Sequence, residues 1–67
     1  MKTKNDSIVQ KILDSEYPEK WPLLRADGQL TTDVSEAMRV PSDFLPAEHG
    51  LGRGWRVMSV YAVLHPV

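Results

Sequence analysis

The hydrophobic pattern changes period along the chain. At the N-terminal end Ile8, Val9, Ile12 and Leu13 recur at i, i+1, i+4 and i+5, which gathers them on one face at 3.6 residues per turn. Lys11 and Asp14 fall on the other side. Ser7 followed by Gln10 is a capping-box pattern, with Asp6 as an alternative cap. The spacing therefore predicts an N-terminal helix that ends at Tyr17, because the residue before Pro18 avoids the α region.

After a turn over residues 19–22, Leu23-Leu24-Arg25 and Gln29-Leu30-Thr31 flank Asp27-Gly28. Asp-Gly between short apolar runs predicts a β-hairpin. A short second helix is expected from Asp33. Glu36 completes a capping pattern there, and Val34, Ala37 and Met38 share a face up to Val40. Residues 42–49 read as irregular or a single turn, broken by Pro46. Residues 50–54 hold three glycines and read as a mobile, exposed loop.

Residues 55–64 read as one strand. Trp55, Val57, Ser59, Tyr61 and Val63 alternate with Arg56, Met58, Val60, Ala62 and Leu64. Both sets are mostly apolar from Val57 onward, so this strand is expected to be central and to form the backbone of the core. The resulting expectation is a single α+β domain over residues 1–67. It would have an N-terminal helix, a short hairpin, a short second helix and a C-terminal strand in a three-stranded antiparallel sheet, with residues 1–5 as a flexible tail.

Composition narrows the function classes. The 67 residues include no cysteine, which excludes disulfides and a thiolate zinc site. A chain this short buries only about 60% of its unfolded surface, so stability rests on a small core or on association. A hydrophobic fraction of 42% fits a folded domain. No run is long enough to span a membrane, and Gln10 and Lys11 interrupt the apolar stretch that a secretory signal would need. A cytoplasmic protein is expected.

The net charge is −1, unevenly placed. Residues 1–20 balance, residues 21–48 carry −3 and residues 49–67 carry +2. No basic stripe of the kind that binds phosphate backbones is present. Residues 32–49 carry a faint helix-turn-helix spacing. The would-be recognition helix, however, holds Pro46, Asp43 and Glu48 and no lysine or arginine to read base edges. A nucleic-acid regulator built on that segment is the second reading.

Candidate chemistry is sparse. His49 and His65 are the only histidines and have no metal-site spacing. No serine sits in a nucleophile elbow. The glycine run 50–54 lacks the Lys-Ser/Thr and the following helix of a phosphate loop. A domain of this size also leaves little room for a ligand pocket of hundreds of cubic ångströms. No enzyme activity, cofactor or metal is expected.

The leading expectation is a small inhibitor, regulator or adaptor that binds a larger protein. Trp55, Arg53, Arg56, Tyr61 and Trp21 are of the types that dominate protein–protein hot spots. Asp33, Glu36 and Asp43 mark an acidic surface for a basic partner. A homodimer built on sheet edges is a third reading. The run 54–60 resembles the closing strand of some small bacterial domains. More loosely, it resembles the C-terminal end of short phage proteins that inhibit host enzymes; the small size of the chain is what suggests a bacterial, phage or mobile-element setting. The resemblance spans about a tenth of the chain, and no residue role is carried over from it.

Overall fold

The first element is a strand, not a helix. A computed structural model of the protein describes residues 4–14, 16, 17 and 20–65. In it β1 (Ser7–Lys11) lies between two neighbours in a four-stranded antiparallel sheet, order β3-β2-β1-β4. β4 (Trp55–Ser59) runs along one edge of β1, from Ser7↔Ser59 to Lys11↔Trp55. On the other edge Gln10 pairs with Leu23 of β2 (Leu23–Leu24), and Ser7 forms a two-way backbone bridge with Val40.

The physical reason for the departure is burial on both faces. Ile8 sits in one cluster with Leu23 and Ala37, and Val9 in a second with Leu24 and Val40. Alternate side chains of a strand point to opposite faces, so a strand covered on both sides shows a continuous apolar run. Such a run is indistinguishable by period from a short piece of buried helix. Ile12 and Leu13, which completed the helical stripe, are 44% and 39% exposed. Tyr17, where the helix was expected to end, is exposed and belongs to no helix or strand, whereas Pro18 and the tail residues 1–3 lie outside the described residues; Lys4 and Asn5 are exposed.

The hairpin forms as expected. β2 pairs with β3 (Leu30–Thr31) through Leu23↔Thr31 and Leu24↔Leu30. Arg25 N–H donates to the Gln29 carbonyl at 2.8 Å, and Gly28 N–H donates to the Arg25 carbonyl at 3.1 Å. Gly28 has φ +87°, the left-handed conformation that this three-residue loop needs at its last position. Asp27 Oδ1 accepts from Gln29 N–H at 3.0 Å.

The second helix contracts to a single 3-10 turn, Val34–Glu36. Asp33 caps it by accepting from Ser35 N–H and Oγ–H. Val34 and Ala37 pack on the Ile8 cluster, whereas Met38 crosses to the Val9 cluster. The chain is thus pulled into extended form to reach the Val40 bridge. A second 3-10 turn, Pro46–His49, ends at Gly50 in the left-handed region. Residues 32–49 therefore contain no α-helix, and the recognition helix of a helix-turn-helix is not present.

The C-terminal strand is shorter than expected and peripheral. It ends at Ser59, whose Oγ accepts from Ala62 N–H at 3.0 Å and caps α1 (Val60–Leu64). Val60 and Val63, one turn apart, turn into the Ile8 cluster. Their i, i+3 spacing reads as helix where the segment 55–64 as a whole reads as alternation. β4 is an edge strand, and β1 is the centre of the core. The sheet accordingly has four strands rather than three.

Candidate functional site

The two small cores lie on opposite faces of the sheet, and the candidate binding residues divide between them. Trp55 and Val57 of β4 point to the Val9 face, while Arg56 and Met58 point to the Ile8 face. Trp55 is half-buried. It packs with Met38, Phe44 and Leu51 on the Val9 cluster, and Lys11 Nζ stands 5.0 Å from the centre of its ring. Arg56 Nε donates to Gln10 Oε1 at 2.8 Å, and its guanidinium lies 4.8 Å from the Trp21 ring. Gln10 Nε2 donates to the Trp21 carbonyl at 3.3 Å. Trp21 Nε1 is buried without a hydrogen-bond partner. Trp21 and Trp55 therefore belong to different surfaces.

Tyr61 is 74% exposed on α1, stacked obliquely on His65 at 4.4 Å. Arg53 is exposed in the loop before β4. Asp33 and Glu36 share one exposed turn, where Thr31 Oγ1 donates to Glu36 Oε1 at 2.9 Å and accepts from Asp33 N–H at 3.0 Å. The Ser35 hydroxyl and then its N–H hold the Asp33 carboxyl below its ordinary value of 3.8. Asp43 is exposed in the segment between the two 3-10 turns. The acidic residues are thus committed to a local turn at Asp33 and Glu36, with Asp43 apart from them.

The feature that sequence reasoning missed is a groove of about 470 Å³ on the Val9 face. Its apolar lining comes from Leu24, Leu30, Met38, Phe44, Leu51 and Trp55. This departs from the expectation that so short a chain leaves little room for such a space: the volume lies in the range of ordinary binding sites. The lining residues span positions 24 to 55, so only the folded chain brings them together. One legible signal was the sole phenylalanine, Phe44, in a segment otherwise read as irregular. Another is Leu30, which remains 47% exposed although it is the hairpin partner of Leu24.

The polar lining side chains Arg25 and His49 are already engaged. Arg25 holds Asp27 at 3.2 Å, and the His49 ring stacks on Phe44 at 4.3 Å. Among the described residues no group of three or more histidine, cysteine or acidic side chains is placed to hold a metal ion. Nor is any helix among them long and apolar enough to cross a membrane. The fold is that of a small α+β domain with one antiparallel sheet. No protein-family model, curated protein or solved structure matches the chain.

Proposed function

We propose that this protein acts without catalysis, by holding a larger partner protein in the groove floored by Trp55. In that role it serves as a regulator, inhibitor or adaptor. The observation that carries the reading is the chemistry of the groove, an open apolar space whose Arg25 guanidinium is paired with Asp27 and whose His49 ring is stacked on Phe44. A small polar ligand needs convergent polar groups to orient it. This lining suits apolar side chains of a protein, inserted beside an aromatic anchor. The absence of cysteine suits work in a reducing cytoplasm.

The test compares the wild-type chain with Leu30→Glu. Leu30 lines the groove yet is exposed enough for the change to spare the fold. Each chain is immobilised, exposed to a nuclease-treated bacterial lysate and washed at moderate salt. One stoichiometric protein held by the wild type and lost from Leu30→Glu is expected. Its purified form should then shift the Trp55 fluorescence. Capture equal for both chains, or no stoichiometric protein at all, overturns the reading.

A further inference from the structure

β4 is an edge of the four-stranded sheet, with no strand among the described residues paired to its outer side. Ile12 N–H donates to the Gly54 carbonyl at 2.7 Å, and Val60 N–H donates to the Asp6 carbonyl at 2.9 Å. In an antiparallel pair the bonded positions alternate. Together with the register Val9↔Val57, these two bonds fix the phase: residues 54, 56, 58 and 60 turn their backbone groups to β1. The backbone N–H and carbonyl groups of Trp55 and Val57, and the N–H of Ser59, therefore face away from the sheet. No backbone or side-chain partner for them occurs among the described residues.

We propose that this edge is the interface with a second copy of the same chain, joined β4 to β4 in antiparallel fashion about a two-fold axis at Val57. The proposal is independent of the groove reading. Only an extended backbone satisfies a row of outward N–H and carbonyl groups, which fixes the conformation of the occupant. The edge is also self-complementary. With Val57 on the axis, its N–H donates to the carbonyl of its own copy, and Ser59 N–H meets the carbonyl of Trp55 across the interface. On the Val9 face Val57 meets Val57, a β-branched pair that suits the pleated surface. On the Ile8 face Arg56 falls opposite Met58, so no like charges sit directly opposite. The two Arg56 side chains lie diagonal to each other, but each is drawn back over Trp21 by its bond to Gln10.

Two further observations favour a copy of this chain over another extended segment. Monomeric proteins guard edge strands with proline, lysine or a bulge. β4 has none of these, and its single charge, Arg56, is occupied. In addition, self-pairing closes. The opposite edge of the sheet is β3, only two residues long, so the assembly stops at two chains and an eight-stranded sheet. The core also gains from it, since among the described residues the buried apolar set is Ile8, Val9, Leu23, Leu24, Ala37 and Val40, a small core. A net charge of −1 opposes association only weakly.

The experiment uses the full 67-residue chain made by chemical synthesis, with and without a methyl group on the Val57 backbone nitrogen. That nitrogen has no partner among the described residues, so the methyl removes an intermolecular donor and leaves the β1–β4 ladder intact. The expected dissociation constant is roughly micromolar. Sedimentation of the wild type should give twice the 7.6 kDa chain mass at about 100 μM. The methylated chain should dimerise about a hundredfold more weakly, having lost two symmetry-related bonds.

Hydrogen exchange supplies a readout that does not depend on the variant. The Val57 and Ser59 amides should gain protection as the wild-type concentration rises, whereas the Met58 amide should be protected throughout. Three outcomes overturn the proposal. They are a monomer at all concentrations up to about 0.5 mM, a dimer indifferent to the methyl group, and Val57 protection that appears only when a different protein is added.

Discussion

Gln10 accepts a hydrogen bond from Arg56 at 2.8 Å directly across the β1–β4 pair. Gln10 is 2% exposed, so its amide has left water and depends on partners within the chain. It has them in Arg56 Nε and the Trp21 carbonyl. This polar contact ties the edge strand, the central strand and the segment before β2 into one unit, beside an otherwise apolar cluster.

Gln10→Leu should therefore destabilise the fold even though it adds apolar surface to a buried site. It removes the acceptor of Arg56 and the donor to Trp21, and leaves both groups in a partly buried place. The expected cost is about 1–3 kcal/mol, read as a lower urea midpoint at unchanged slope. A midpoint equal to or above that of the wild type would mean that the contact contributes nothing net.

Ile8 and Ile12 give the sharpest contrast between a strand and a helix at the N-terminal end. One helical face would bury both. The sheet buries Ile8 completely and leaves Ile12 44% exposed. Ile8→Ala should cost about 2–5 kcal/mol, and Ile12→Ala no more than about 0.5 kcal/mol. Equal losses in thermal or urea unfolding would contradict the placement of β1.

The cap on the first 3-10 turn sets an acid limit. The hydroxyl and N–H of Ser35 hold the Asp33 carboxyl below 3.8. Its contribution is then complete above that ordinary value and disappears as pH falls through the lower folded value. The Ser35 amide resonance should stay constant from neutral pH down to about 3.8 and shift only below it. Asp33→Asn should abolish the acid shift. Titration of the Ser35 amide at or above 3.8 in the wild type would show that the capping bonds do not form.

The hairpin was readable because its cause is local. Asp27-Gly28 supplies the turn chemistry, and Leu24 and Leu30 stand at matching distances on either side. The cap at Asp33 was readable for the same reason. β1 was not. Ser7, Ile8, Val9 and Gln10 are all buried because two layers cover the strand, and those layers come from residues 34–63. The switch from β4 to α1 turns on Ser59, a residue that reads as an alternating strand position until its hydroxyl is seen capping Ala62.

The candidate binding residues show the same division. Trp55 is legible by its residue type, and it lines the groove. Its companions there, Leu30, Phe44 and Leu51, are scattered along the chain and carry no shared motif. Trp21 and Arg56, grouped with Trp55 by composition, lie on the other side of the sheet, because neighbouring strand residues point in opposite directions.

By itself the sequence determined the hairpin, the cap at Asp33, the absence of disulfides and the modest charge, because each follows from residues near one another or from simple counts. The tertiary structure alone decided that residues 7–11 are the central strand, that β4 is an edge, and that a groove opens beside Trp55. These outcomes depend on which segments cover which face, and the free energy of covering apolar surface is shared among residues far apart in the chain.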